Sequence, residues 1–299
     1  MASLKDIRNR MGSVKSTKKI TSAMKMIAAA KLRRAQNKVA ASLPYADMMS
    51  DMIKSLKDRA VEGEQLPTLL TGTGEDKYHV YVVITSDRGL CGSFNASVCR
   101  YALRMIQKLD DGKRDFKIVC IGRKARDFFH SSKFRDHILE TYLNRNRPSF
   151  MYADRIGERI LEEFNQGKMD FCTVVYNKFI SAISQKLTSH QIMPYSPLDN
   201  ESHEKPEQIH DAGIHAIYDY EPSANAVLNA LLPQNFSVQL YRAMLENAAS
   251  EHGARMTAMD SATRNADDML KNLNLVYNRT RQALVTRELI EIISGAEAL

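Results

Sequence analysis

The chain has 299 residues, enough to bury a sizeable hydrophobic core in one or two domains. Hydrophobic residues make up 44% of the chain, as in ordinary globular proteins. No uninterrupted apolar run reaches the length of about 18 residues that a membrane-spanning helix needs. The four cysteines lack the C-x-x-C spacing of zinc sites and redox pairs, so reduced thiols are expected.

The net charge of +7 is concentrated at the amino terminus. Residues 1–40 hold eleven Lys or Arg side chains against the single acid Asp6, a local balance of +10. Since the whole chain carries +7, the remainder carries −3. Three classes of segment have such a composition: a nucleic-acid-binding arm, a targeting peptide, and a structured helix whose basic face meets an acidic or polar partner.

The first predicted helix begins at Ser3, which can cap it. Asp6, three residues later, can complete a reciprocal cap with Ser3, as in a capping box. Proline is absent from residues 1–43. Spacings of four and three alternate along this helix over about five heptads, which a targeting peptide would not need. The seam positions are Ile7, Met11, Val14, Lys18, Thr21, Lys25, Ala28, Leu32, Ala35 and Val39, and a second apolar stripe consists of Ile20, Met24 and Ile27.

The middle of the chain alternates β-branched runs with helical segments. The runs typical of buried strands are residues 78–87, 116–122 and 171–179. The helical segments are residues 93–109, 123–131 and 151–165. This alternation predicts an α/β domain over residues 75–222 with a mostly parallel sheet. Residues 194–213 are predicted to form a polar loop, followed by a short strand at residues 216–220.

The sequence TSDRGLCGSFN follows the first predicted strand and precedes a helix. Glycines at such a position can cradle a phosphate. However, Gly89 and Gly92 are three apart and no lysine follows, so neither the dinucleotide-binding nor the P-loop spacing is present. A tight strand-to-helix turn is favoured. The histidines show no helical pairing with an acid, and no Ser-His-Asp set can be assembled, so we predict no catalytic, cofactor or metal site.

The last predicted helix restarts after Pro233, with Asn235 as its cap, and runs without proline to the end of the chain. Sixty residues at about 1.5 Å each reach roughly 90 Å, so this helix needs a partner along its length. The first helix is the nearest candidate. Six aliphatic residues cover more than one face near the end, which does not suit a free tail: Leu284, Val285, Leu289, Ile290, Ile292 and Ile293.

Three segments resemble the gamma subunit family of F-type ATP synthases: SVKSTKKITSAMKMIAAAKL, TSDRGLCGSFNA and ARMTAMDSATRNADDMLKNLNLVYNRTRQALVTRELIEIISGAEAL. The resemblance covers essentially the whole chain. It implies an α/β fold in which the terminal helices, residues 1–60 and 223–299, form a long antiparallel coiled coil beside a central Rossmann-like domain. It further implies a non-catalytic rotor shaft without a cofactor or a nucleic-acid partner, which couples ion-driven rotation to ATP synthesis or hydrolysis.

The resemblance also implies partners and a location. The partners are the alpha and beta subunits of the catalytic hexamer, the ring of membrane c subunits, and an epsilon-type subunit, called delta in mitochondria. The chain would be peripheral to the energy-coupling membrane. Because the first helix follows Met1 at once, the cytoplasmic face of a bacterial inner membrane is expected, with the matrix side of the mitochondrial inner membrane as the alternative.

Interface residues follow from the resemblance where the motifs match. The polar pair Arg281 and Gln282 would hydrogen-bond a loop of a beta subunit, and Met24 would lie near the base of the hexamer. A loop with an interface thiol would approach acidic levers of the beta subunits; it holds Asp87, Arg88 and Cys91. Basic residues facing the levers would be Lys18, Lys19, Lys25, Lys31, Arg33 and Arg34. The tip would contribute Thr286, Glu288, Leu289 and Ile293. A solvated helix face is the alternative for the charged residues.

Two other classes of protein stay open at this point. A nucleotide-binding enzyme built on the α/β domain predicts saturable binding of ATP or NAD. A coiled-coil nucleic-acid binder predicts steeply salt-dependent DNA binding through the basic helix. Residues 1–40 contain no aromatic side chain for base stacking, which argues against the second class.

Overall fold

A computed structural model describes residues 3–58, 66–112, 114–144, 148–196, 221 and 223–297. Its helices are α1 (Leu4–Asp58), α2 (Thr68–Thr71), α3 (Phe94–Asp111), α4 (Arg123–His130), α5 (Phe150–Asn165) and α6 (Ala224–Glu297). Its strands are β1 (Tyr78–Ile84), β2 (Asp115–Ile121), β3 (Ile138–Tyr142), β4 (Phe171–Phe179) and β5 (Gln185–Met193). The predicted strand at 216–220 and most of the predicted polar loop lie outside the described residues.

The five strands form one sheet in the order β3-β2-β1-β4-β5. The pairs β1/β2, β1/β4 and β2/β3 are parallel, and β4/β5 is antiparallel, which confirms the mostly parallel sheet. The edge strands β3 and β5 were not predicted. Their sequences, ILETY and QKLTSHQIM, are only half-buried and lack the continuous apolar run that marked the three inner strands.

The sheet is covered on both faces. Val80, Val82 and Ile84 of β1 pack in one cluster with residues of α5 and α6. Tyr81 and Val83, which alternate with them, pack in a second cluster with α3 and α4. The first half of α6 is therefore a layer of the α/β domain as well as part of the long helix pair.

The start of α1 has the predicted reciprocal cap. The Lys5 N–H donates to Ser3 Oγ at 3.3 Å, and the Ser3 N–H donates to Asp6 Oδ2 at 3.2 Å. The helix continues through Pro44 to Asp58. The predicted seam is confirmed at Ile7, Ala28 and Leu32, whose side chains are all less than 10% exposed. The second stripe is different, because Ile20 is 60% and Ile27 57% exposed.

Helices α1 and α6 pair in antiparallel fashion. Lys18 contacts Asp267, Lys25 contacts Asp260, and Asp47 lies 3.7 Å from Arg242, so the partner number falls as the α1 number rises. Near the end of α1 and the start of α6 the pair is closed by a hydrophobic cluster with Leu70 of α2. Its helix-pair members are Ala46, Met49, Ile53, Leu56, Leu228, Leu232 and Val238. Among the described residues, none of the helices has the continuous apolar stretch that a membrane span requires.

The start of the last helix after Pro233, which the local sequence predicted, was wrong. α6 begins at Ala224, nine residues before Pro233, and its cap is Ser223, whose Oγ accepts the Ala226 N–H at 3.2 Å. Proline removes one backbone hydrogen bond, but burial of Leu228 and Leu232 against α1 keeps the helix continuous. Asn235 is buried inside the helix and accepts a hydrogen bond from Gln239 at 2.6 Å instead of capping.

Candidate functional site

The paired helices carry a polar layer between the α/β domain and the free end of α6. Lys18 Nζ lies 2.6 Å from Asp267 Oδ1, and Lys25 Nζ lies 2.5 Å from Asp260 Oδ1. Between these ion pairs the hydroxyls of Thr21 and Thr263 lie 2.8 Å apart. Polar residues at seam positions specify the register of a coiled coil, because any slip leaves them unpaired.

This layer gives two of the predicted lysines a partner within the chain. Lys18 and Lys25 occupy seam positions, as the heptad pattern indicates, and each has a carboxylate partner on α6. These ion pairs help to fix the register of the helix pair. The contact of both lysines with acidic levers of the beta subunits stays a prediction.

The ion pairs make the helix pair sensitive to acid. Hydrogen bonds from Lys25 and Lys18 lower the pKa values of Asp260 and Asp267, respectively, below the ordinary value of 3.8. A carboxyl group with a lowered folded-state pKa stabilises the fold above its unfolded pKa, and this contribution is lost as pH falls through the folded pKa. We expect Asp260→Asn/Asp267→Asn to melt at a lower temperature than wild type at neutral pH.

The gap between the two melting temperatures should begin to narrow near pH 4 and close as the pH falls through the lowered pKa values of Asp260 and Asp267, because the wild-type carboxylates are then protonated as well. Circular dichroism of both proteins over this pH range checks it. A gap of the same size at neutral and acidic pH would show that the ion pairs do not contribute through their charge.

The end of α6 extends past the start of α1. Leu4 lies 14 positions before Lys18, and 14 positions after Asp267 is Arg281, so α1 begins opposite Arg281. The following part, residues 281–297, is here called the tip, and it is about 25 Å long. At every position of the tip for which burial is described, the side chain is exposed.

The tip holds six of the predicted interface residues, Arg281, Gln282, Thr286, Glu288, Leu289 and Ile293. Arg281, Gln282, Thr286 and Glu288 are exposed, and the aliphatic side chains range from 39% exposed at Leu284 to 67% at Ile292. Leu289 and Ile293 are 54% and 58% exposed. Contiguous exposed aliphatic side chains usually mark a protein-protein contact, since monomeric proteins rarely leave such a surface in water.

The turn between β1 and α3, residues 85–93, is here called the rim loop. It is held from within: Asp87 Oδ1 accepts the N–H groups of Arg123 at 3.0 Å and Asn144 at 3.2 Å. The Ser86 N–H donates to Asn95 Oδ1 at 2.9 Å. These hydrogen bonds tie the start of the loop to α3, α4 and the segment after β3, as a tight structural turn requires.

The rim loop presents a different side chain from the one predicted. Cys91 is 2% exposed, burial raises the pKa of its thiol, and Asn95 Nδ2 donates to its sulfur at 3.1 Å. Leu90 is 62% exposed and has a φ of 65°, a value that a leucine rarely adopts. The burial of Cys91 argues against a direct contact by its thiol. Leu90 is the exposed aliphatic side chain of this loop, and no pattern in the sequence marked it.

Two further predicted residues are Met24 and Arg88. Met24 is half-buried on α1, beside the polar layer, and Arg88 is exposed in the rim loop. All four cysteines are buried and unpaired. Among the described residues, no group of three His, Cys, Asp or Glu side chains is placed to hold a metal ion.

Comparison with known proteins places this architecture in one family. A family model described as ATP synthase matches residues 3–299. Proteins named ATP synthase gamma chain match over the full length of both chains, with 49% identity in Methylobacterium nodulans, 48% in Rhodospirillum rubrum and 47% in Brucella canis. The chain belongs to the ATP synthase gamma chain family.

Solved structures have the fold of this gamma chain. A chain of the Euglena gracilis mitochondrial ATP synthase, in a structure of OSCP, F1 and the c-ring, aligns with a TM-score of 0.63 at 22% identity, covering 99% of this chain and 94% of the other. A chain of the central stalk and c-ring of the Tetrahymena thermophila mitochondrial enzyme aligns with a TM-score of 0.60 at 23% identity, covering 81% and 99%.

The predicted interface residues of the gamma chain thus fall in three places. The tip carries Arg281, Gln282 and the residues after them, the helix pair below it carries Met24 and the polar layer, and the rim loop lies where the α/β domain meets α6. The three places follow one another along α6, from the rim loop at Arg255 through the polar layer at Asp260 and Asp267 to the tip.

Proposed function

We infer that this chain is the central-stalk subunit of an ATP synthase, a shaft that turns inside a hexamer of alpha and beta subunits. The observation that carries the inference is the exposed aliphatic tip at the end of a long helix pair. A helix that is apolar on several faces needs another protein around it. The full-length match to ATP synthase gamma chains supports the alpha/beta hexamer as the protein that surrounds the tip.

The free energy expected from burying the aliphatic tip supports a partner that encloses it. Six aliphatic side chains of the tip are each between 39% and 67% exposed. Burying the exposed half of six such side chains stabilises a complex by about 5 to 9 kcal/mol before ordering costs. Aliphatic contacts are also less directional than hydrogen bonds, which suits a surface that moves past its partner.

The shaft would act by mechanical coupling without a catalytic residue of its own. Ion flow turns a ring of c subunits, the ring turns the α/β domain, and the helix pair carries the rotation into the hexamer. The tip has no symmetry that matches the hexamer, so each beta subunit meets a different face of it. Each nucleotide site is then shifted in turn between states of different affinity, as a population shift imposed by the contact.

We propose further partners on the same basis. The c ring and an epsilon-type subunit, the delta subunit of mitochondria, would contact the α/β domain. The structurally similar Tetrahymena and Euglena chains come from structures that contain a c-ring. The chain would be peripheral to the cytoplasmic face of a bacterial inner membrane, since the relatives from Methylobacterium and Rhodospirillum are bacterial. The matrix side of the mitochondrial inner membrane is the alternative.

Rotation can be tested directly. Gln107 is exposed on α3, on the sheet face opposite α6, and the four native cysteines are buried, so Gln107→Cys offers a single reactive thiol away from the shaft. With the hexamer immobilised and a bead on this thiol, ATP is expected to drive stepwise rotation in one direction. A bead that stays still in a complex that hydrolyses ATP would contradict the shaft function.

A further inference from the structure

The hairpin that joins β4 to β5 packs directly on the backbone of α6. A Cβ atom at Gly253 would lie 3.1 Å from the carbonyl oxygen of Ala182 and 3.4 Å from its Cα. Glycine is disfavoured inside helices, because it loses more conformational freedom on folding than other residues. Its presence within α6 allows the hairpin to approach this closely.

Two hydroxyl groups hold the hairpin on the same face of α6. Thr257, one helical turn after Gly253, has its Oγ1 3.2 Å from the Ala182 carbonyl oxygen and 3.1 Å from the Gly253 carbonyl oxygen, so its one proton is shared between the hairpin and α6. Ser250 Oγ donates to the Asn177 carbonyl oxygen at 2.9 Å, about one turn before Gly253. Three successive turns of α6 therefore hold the end of β4 and the hairpin that follows it.

The hairpin tip itself is ordered by its own hydrogen bonds. The Ser181 N–H donates to the Ser184 carbonyl at 2.9 Å, and the Ser184 N–H donates to Ser181 Oγ at 3.0 Å. Ile183, between these serines, is 82% exposed, the most exposed of the large hydrophobic side chains in the described chain. A held turn thus presents one aliphatic side chain to its surroundings.

The rim loop contacts the same segment of α6 from another face. Arg255 is two residues from Gly253, which is about 200° around the helix. Its guanidinium lies 3.4 Å from the Arg88 carbonyl oxygen and 3.2 Å from that of Gly89, and it pairs with Glu251 at 2.7 Å. The exposed Leu90 follows directly. Two loops, each with an exposed aliphatic side chain, therefore flank one segment of the shaft.

This segment lies where the shaft leaves the α/β domain. The next polar contacts along α6, at Asp260, Thr263 and Asp267, are made with α1. The hairpin and the rim loop therefore form the edge of the domain nearest the tip. A hexamer that surrounds the shaft near the tip would therefore lie closer to this edge than to the rest of the α/β domain.

We propose that Ile183 at the hairpin tip forms a second contact between the α/β domain and the alpha/beta hexamer, beside the rim loop. Gly253 and Thr257 are the positioning residues that hold the hairpin for it. The proposal rests on the shaft function inferred above, since that function places the hexamer around the tip. An aliphatic side chain suits a contact that slides past successive subunits, because it needs no directional partner.

The contact can be tested by cross-linking in the assembled enzyme. Ile183→Cys, labelled with a benzophenone, is expected to give an adduct with an alpha or beta subunit. Met151→Cys is the matched control, because Met151 is 79% exposed on the same domain. Its neighbour Phe150 contacts Tyr241, 12 residues before Gly253, or about 18 Å further from the tip along α6. The control is expected to give no such adduct.

An adduct of Ile183→Cys with a c subunit or an epsilon-type subunit, or no adduct in an assembled enzyme, would overturn the proposal. If the unmodified chain does not assemble with alpha and beta subunits at all, the shaft function fails as well. The two failures are therefore distinguishable. The label reports proximity without requiring any change in activity.

The positioning role has its own test. Thr257→Val removes the hydroxyl and keeps the shape, whereas Thr257→Ser keeps the hydroxyl. Loss of one neutral hydrogen bond is expected to raise amide hydrogen exchange in residues 181–184 about fivefold, and to lower the Ile183→Cys adduct yield. Serine should restore both. Faster exchange with an unchanged adduct yield would show that Thr257 stabilises the hairpin without placing the contact.

Discussion

Truncation after Asn278 is expected to reduce ATP-driven ion pumping by at least about tenfold in the reconstituted enzyme, because it removes the whole aliphatic tip together with Arg281 and Gln282. The paired part of the shaft should stay intact, since α1 begins opposite residue 281. Pumping and hydrolysis are measured side by side in vesicles that contain the complete complex.

A matched variant tests the polar pair of the tip separately from its aliphatic side chains. Arg281→Ala/Gln282→Ala keeps every aliphatic side chain and removes only the polar pair. If this variant pumps normally and the truncated chain does not, the aliphatic contact carries the function. If the truncated chain pumps at full efficiency, the tip only assists assembly, and torque must pass through the lower helix pair and the region of Met24.

Gly122→Ala is expected to destabilise the α/β domain by about 2 to 5 kcal/mol. Gly122 has a φ of 109°, and an added Cβ would lie 2.5 Å from the Thr85 carbonyl oxygen and 2.7 Å from Thr85 Oγ1. Left-handed backbone costs other residues about 1 to 2 kcal/mol, and overpacking adds about 1 to 3 kcal/mol. Urea unfolding followed by circular dichroism measures the loss.

The clash would also reach the rim loop. Thr85 Oγ1 accepts the Ala125 N–H at 2.9 Å, and the Thr85 carbonyl accepts the Asn144 side chain at 2.5 Å. Gly12→Ala is the control, because Gly12 lies in α1 with no atom within 4 Å of an added Cβ. It should gain up to about 1 kcal/mol from helix propensity. Equal stability of the two variants would contradict the steric argument.

Local patterns were enough to predict much of this molecule. The heptad spacing of α1 marked Ile7, Ala28 and Leu32 as seam residues, and the Ser3 cap marked the helix start. The three inner strands were recognisable because both of their faces are buried, which requires continuous apolar runs. The motifs of the first and last helices carry the resemblance to the gamma subunit family, and the full-length relatives confirm it.

Other features depend on contacts between distant residues. The cap at Ser223 and the passage of α6 through Pro233 follow from burial of Leu228 and Leu232 against α1, which local sequence cannot show. The partners of Lys18 and Lys25 are likewise 249 and 235 residues away in sequence. Packing and pairing of this kind decide between a helix start and a helix interior, or between a solvated charge and an ion pair.

The two long helices, the parallel strands at the centre of the sheet and the aliphatic tip could be predicted without coordinates, because each has a local period or an apolar run without a local partner. The loop side chains that face outward could not be predicted in this way. Burial of Cys91, exposure of Leu90 at positive φ, and exposure of Ile183 over Gly253 all depend on how two loops pack against α6. Such packing joins residues far apart in the chain, and no local pattern records it.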